Sequence, residues 1–161
     1  MRSVISLNTR MWGGKADVRL KTVLLVALGG ALGAMLRFAI STWSQKYVGH
    51  QFPVGTLLAN IGGCLVFGFL AAYLPFSSLS PEWKTAVFAG FLGALTTFST
   101  FSFESLTLFQ SGRFGMGLTH LGSHLFLGIG AVVLGFYLGQ NLSADRPTDE
   151  VSIIPSEVVE E

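Results

Sequence analysis

Four apolar stretches separated by short polar links dominate this chain, over residues 22–43, 54–74, 85–109 and 114–139. Each has roughly the 20 residues that an α-helix needs to cross the hydrocarbon core of a bilayer. Four such segments, about half of the 161 residues or more, fit a small multi-span membrane protein. Composition agrees: charged residues make up 12%, against about 25% in soluble domains, and mean hydropathy is +0.59. A soluble enzyme is therefore not expected. The net charge of +1 and the lack of a basic run exclude a nucleic-acid partner. A single cysteine, Cys64, excludes an internal disulfide and a cysteine metal cluster. The expected partner is the lipid bilayer.

Three regions follow. Residues 1–21 form a polar lead, residues 22–139 hold the four spans, and residues 140–161 form an acidic tail expected to be disordered and solvated. The first apolar run is too long for the core of a cleaved signal peptide, which is about 7 to 15 residues. The links near 44–52, 75–84 and 110–113 are short, so neighbouring helices must run antiparallel. An even number of spans puts both termini on one side. That side carries Lys15, Arg19, Lys21, Lys84 and Arg146, against Lys46 and Arg113 on the other. The bias favours cytoplasmic termini but leaves a mixed orientation open.

The third span is unusual. Its stretch TTFSTFSFESLT carries Thr96, Thr97, Ser99, Thr100, Ser102, Glu104, Ser105 and Thr107, groups that inside a membrane must face protein, water or an ion path. Gly90 and Gly93 just before it weaken the helix. Two readings stay open: a break whose exposed carbonyls can bind a cation, or a continuous helix whose hydroxyls bond back to their own carbonyls. Beyond a break, Phe98, Phe101 and Ser105 share one helical face, and Thr97, Thr100 and Glu104 the next. Paired aromatics commonly mean packing, yet their ring edges are electropositive and can face a small anion. Glu104 reads equally as a proton site or as a structural acceptor.

In the second span Thr56, Asn60 and Phe67 lie on one face. An intramembrane Asn serves either as helix-to-helix glue or as a donor that replaces an anion's water. Arg37, inside the first span, is expected to hold backbone carbonyls or to snorkel toward the water boundary, with an anion site as the less favoured alternative. His120 and His124 stand at i and i+4 in the fourth span, a metal-compatible spacing with no third ligand nearby in sequence. Polar faces turned into the bundle are the simpler reading. Gly115, Gly122, Gly128, Gly135 and Gly139 suggest a seam for helix contact.

Three passages, GGALGAMLRF, PVGTLLANIGG and GFLGALTTFSTFSFE, together resemble the Fluc/CrcB family of fluoride channels, over about residues 22–139. The resemblance implies an all-α membrane protein of the bacterial plasma (inner) membrane. It has four transmembrane helices, the third broken near mid-membrane, assembled as an antiparallel, dual-topology homodimer. It implies two fluoride pathways and a structural sodium ion at the dimer centre, held by backbone carbonyls of Gly93 and Thr96. Phe98 and Phe101 match the family's pore phenylalanines and Asn60 its pore asparagine, with Thr56 one turn earlier. Thr97, Ser99 and Thr100 fall in its polar track, Glu104 matches a pore-associated acid, and Arg37 matches a structural first-span arginine. The fourth span departs from the pattern: His120 stands where tyrosine or asparagine is usual, and His124 where serine is usual. Protonation of these histidines is then expected to alter conduction.

The implied activity is passive export of fluoride, which lowers its cytoplasmic concentration and toxicity. Fluoride is small and tightly hydrated, so its path must offer donors and electropositive edges without a full charge that would trap it. No nucleotide-binding loop is visible. The rival readings are a small proton-coupled four-span exporter using Glu104, and a non-transporting assembly subunit.

Overall fold

The computed structural model describes residues 20–49, 51–74 and 79–143. Residues 1–19 of the polar lead and 144–161 of the tail lie outside the described residues, while residues 140–143, expected to belong to a disordered tail, continue the last helix.

Helix α1 spans Leu20–Tyr47, α2 spans Val54–Tyr73, and the last helix, here α6, spans Phe114–Ser143. Between them the third apolar stretch is built from several pieces. Helix α3 (Pro81–Thr85) leads into a π-helical segment at Ala86–Leu92, then the short α4 (Gly93–Leu95) and finally α5 (Phe98–Gln110). All the regular elements among the described residues are helical, and four helical stretches are long and apolar enough to cross a membrane. Several helices overrun the apolar windows. Helix α1 starts at Leu20 and α6 continues to Ser143, and the third stretch starts at Pro81, inside the link expected over 75–84. Proline at N1 has its φ preset for a helix and gives up a donor that would be unpaired there.

The links turn on positive-φ glycines. Gly49 has φ +92° and Gly112 φ +71°, a region that costs glycine little and other residues more. At Gly112 the turn also satisfies the end of α5: the Gly112 N–H donates to Phe109 O and that of Arg113 to Leu108 O.

Glycine contact brings the helix backbones together. A methyl group added at Gly68 would strike the Val132 carbonyl, and one at Gly135 the Leu65 carbonyl, so α2 and α6 touch main chain to main chain. Gly139 meets Phe69 in the same way. Across the other interface, Gly29 faces the Ala86 carbonyl and Gly33 that of Phe91, while Gly90 faces Val26. The seam of α6 therefore lies within the subunit, through Gly128, Gly135 and Gly139, all buried. Gly115 and Gly122 are not part of it: nothing but the Phe126 ring edge comes within reach of either. Their place nearer the α5 end is taken by Gly117, which packs against the Phe109 ring.

A small core of Ala59, Leu92 and Leu95, flanked by Ile40, Leu70, Phe88 and Phe91, sits behind the glycine crossings. Most large apolar side chains point outward instead, among them Leu28, Met35, Phe38, Phe126 and Tyr137. An exterior of this kind suits hydrocarbon or another apolar protein face, not water.

Candidate functional site

The interruption of the third span organises the site. Thr96 (φ −86°, ψ 149°) and Thr97 (φ −147°, ψ 115°) are extended between α4 and α5. Extended residues inside a helical span release backbone groups that must find other partners. Asn60 on α2 supplies two of them: its Nδ2 donates to Thr97 O at 3.1 Å, and its Oδ1 accepts from Thr97 N at 2.7 Å. The Thr97 hydroxyl caps α5 by accepting from Thr100 N at 3.3 Å. From α1, Arg37 Nε donates to Ala94 O at 3.0 Å. Because Thr97 N–H goes to Asn60 and Thr100 N–H to a side chain, neither reaches the carbonyl four residues back. The Gly93 and Thr96 carbonyls therefore lose their α-helical donors.

Past the interruption, α5 disposes of its hydroxyls locally. Ser102, Ser105 and Thr107 bond back to the carbonyls of Phe98, Phe101 and Phe103, the usual compromise for hydroxyls in an apolar helix. Thr97 Oγ1 also meets Ser99 Oγ at 3.3 Å and Thr100 Oγ1 at 3.0 Å. These three hydroxyls form one continuous polar edge.

Two cavities flank α5. The larger, about 540 Å³, is mostly apolar and is lined by Asn60, Thr96, Thr97, Phe98, Phe101 and His124 among others. The smaller, about 450 Å³ and more polar, lies toward the Lys46 end, where Ser44, Thr56, Thr100, Glu104 and Arg113 line it. Phe98 and Phe101 stand 5.6 Å apart with tilted rings. Phe98 is 79% exposed, whereas Phe101 is wedged against both histidines, with centroids 5.3 Å from His120 and 4.4 Å from His124.

His120 is completely buried. Its Nδ1 lies 3.0 Å from Ser105 Oγ, the Phe52 ring meets it edge-on at 5.5 Å, and its Nε2 is 3.7 Å from Glu104 Oε2. The other carboxylate oxygen, Glu104 Oε1, accepts from Thr56 Oγ1 at 2.8 Å. His124 Nδ1 bonds to His120 O at 3.0 Å. The chain thus brings Thr56, Glu104, His120 and His124 into one cluster, and Asn60 with Thr97 into another. Among the described residues no grouping of three His, Cys, Asp or Glu side chains is poised for a metal ion.

Sequence reading did not single out Ser105 as the anchor of His120, nor Phe52 as its aromatic neighbour. Ser105 carried a usable signal in its i+4 spacing from Phe101. Phe52 carried none, because its contact bridges 68 positions of chain (120 − 52).

Comparison with known proteins gives one family. The sequence profile described as "CrcB-like protein, Camphor Resistance (CrcB)" matches residues 24–136. Among relatives, a protein of Acidobacterium capsulatum named fluoride-specific ion channel FluC is 44% identical over 122 residues, covering 75% of this chain and 98% of its own length. One of the same name from Sulfurovum sp. is 46% identical over 120 residues, covering 74% and 94%. Another from Shewanella amazonensis is 42% identical over 127 residues, covering 79% and 99%.

Proposed function

The chain belongs to the CrcB family and is a multi-pass bacterial membrane protein, and from that premise we propose that it is a passive, fluoride-selective channel. It carries fluoride out across the plasma (inner) membrane and lowers its concentration and toxicity in the cytoplasm. The observation that carries this reading is the set of groups around the larger cavity. Asn60 uses one of its two amide hydrogens on Thr97 O, which leaves the second for an anion. Phe98 and Phe101 add electropositive ring edges, and Thr97 lines the cavity at the head of a run of hydroxyls that continues through Ser99 to Thr100 on the smaller cavity. No full positive charge lines this cavity, so an anion is coordinated without being trapped.

The working unit in this proposal is a homodimer of two oppositely oriented copies with two pathways. Phe98, highly exposed in the single chain, becomes a pathway wall when a second copy covers it. The Gly93 and Thr96 carbonyls, deprived of α-helical donors, fit a hard cation that takes oxygen ligands, and a sodium ion there would tie the two interruptions together. The donor set is all oxygen and uncharged, as a monovalent ion permits. Replacing sodium by a bulky organic cation is expected to abolish flux.

Electrical recording from the purified chain in a planar bilayer tests the function. A current that reverses at the fluoride equilibrium potential, unaffected by a chloride gradient, is the expected result. The competing exporter reading gains support from Glu104 standing beside His120. It requires that a proton gradient drive fluoride against its own gradient and that Glu104→Gln abolish all transport. The channel reading requires that a proton gradient drive nothing.

A further inference from the structure

The hydrogen-bond partners around the two buried histidines favour one tautomer of each. The Ser105 hydroxyl donates its one hydrogen to Phe101 O at 2.7 Å, so its 3.0 Å contact with His120 Nδ1 is one that the serine oxygen accepts and the ring N–H donates. His120 Nε2 then bears a bare lone pair when the ring is neutral. His124 Nδ1 faces the His120 carbonyl, which can only accept, so His124 Nε2 is likewise bare. Glu104 Oε1 accepts from Thr56, leaving Oε2 to face His120 Nε2 across 3.7 Å.

Glu104 Oε2, His120 Nε2 and His124 Nε2 are all shut off from solvent, and none has a hydrogen-bond partner. With an ionised carboxylate and a neutral His120 that carries its hydrogen on Nδ1, two of these lone pairs confront each other in a region of low dielectric. That arrangement is costly. A single proton between Glu104 and His120 removes the conflict, and an approach of under about 1 Å makes it a normal hydrogen bond.

The three groups also connect the two cavities. Glu104 lines the smaller one and His124 the larger. His120 lies between them, with its ring centroid 4.4 Å from that of His124. Among the residues lining the smaller cavity, Arg113 is the one charge besides Glu104. Helix α1 offers Ser41, Ser44 and Gln45 to the smaller cavity, and α2 offers Thr56. Arg113 lines that cavity too, but bonds to the Gln51 carbonyl and the Met116 sulfur. On the far side Cys64 shares the larger cavity with His124.

We propose that Glu104, His120 and His124 form a proton-binding relay between the two cavities, and that occupancy of the site between Glu104 and His120 sets how readily fluoride passes. The proton enters from the smaller cavity onto Glu104 or His120, and a second can be taken up at His124. Binding the first changes the summed charge of the three groups from −1 to 0. An anion beside Phe101 then meets no net repulsion, and flux rises as pH falls. The proton modulates passage without being carried stoichiometrically, which separates the relay from a proton-coupled exporter. The proposal rests on the channel reading for its effect on flux, but not for the proton site itself.

Two measurements on the full-length purified chain test it. Fluoride release from liposomes, with leak through protein-free liposomes subtracted, is expected to rise about tenfold between about pH 8 and pH 5.5, the effect of one unit charge removed near the path. His120→Asn is expected to flatten the profile, and His124→Gln to narrow it should the buried His120 variant fail to fold. A flat wild-type profile, or one unchanged in the folded variants, overturns the relay as a control of flux. Independently of transport, ring 15N spectra are expected to show His120 Nδ1 protonated throughout and Nε2 gaining a proton whose titration moves in Glu104→Gln. An Nε2 titration identical in wild type and Glu104→Gln overturns the proton site. Absence of flux at every pH would sink the channel reading instead, while the ring spectra would still decide the proton site.

Discussion

The side chain of Asn60 pairs with the main chain of Thr97 through both of its amide atoms, donating to Thr97 O and accepting from Thr97 N. One residue on α2 thereby stands in for the neighbouring backbone that a helix would have supplied at the interruption of the third span. Only a primary amide presents a donor and an acceptor in this arrangement.

Removing that pairing is expected to cost both stability and transport. Asn60→Ala strands the Thr97 N–H and C=O, a penalty of about 1–3 kcal/mol for each buried group left unpaired. Asn60→Asp keeps the acceptor, loses the donor and adds a negative charge beside the larger cavity. Thermal unfolding in detergent is expected to show both variants less stable than wild type. Fluoride flux is expected to fall further in the aspartate, because a carboxylate repels the anion. Equal stability of Asn60→Ala and wild type would contradict the bracing role.

Arg37 holds the other side of the interruption through Ala94 O. Hydrogen bonds to charged groups contribute about 1.5–3 kcal/mol. Arg37→Met is thus expected to lower the unfolding midpoint while leaving the other helices in place by circular dichroism. A midpoint equal to wild type would place the guanidinium elsewhere.

The glycine seam gives a sharp contrast. Gly135→Ala pushes a methyl group against the Leu65 carbonyl and is expected to cost about 1–3 kcal/mol, as overpacking does. Gly115→Ala meets nothing and is expected to be neutral, or stabilising by up to about 1 kcal/mol from helix propensity. Ranking the two by thermal stability checks the packing of α2 on α6. The reverse order would refute it.

Phe98 and Phe101 are expected to separate by stability but not by flux. Phe98 stands exposed in the single chain, so Phe98→Ile is expected to change the unfolding of a dissociated subunit by less than about 0.5 kcal/mol. Phe101 packs on both histidines, and Phe101→Ile is expected to cost about 1–3 kcal/mol. Both variants are expected to cripple fluoride release. Flux preserved in either would remove that ring from the pathway.

The four spans were legible because apolar length is a local property, readable without knowing what touches what. The third span was only half legible. Glycines and paired threonines left a break and a continuous helix equally open, and the chain uses elements of both: extended backbone at Thr96 and Thr97, then back-bonded hydroxyls along α5. The π-helical stretch at Ala86–Leu92 had no signal, since nothing in AVFAGFL distinguishes the two helical pitches. Pairings such as Asn60 with Thr97 or Arg37 with Ala94 join residues 37 and 57 positions apart. Sequence shows that such polar groups need partners but not which ones. His120 and His124 were visible as a pair, yet the carboxylate beside them came from another helix.

The central claim is tested most directly by fluoride release from liposomes holding the purified chain, with potassium and valinomycin clamping the voltage and chloride followed in parallel. Rapid fluoride release without chloride release, proceeding with no proton gradient, is the predicted result. A folded, dimeric sample that releases no fluoride, or releases it only when a proton gradient drives it, would contradict the passive channel.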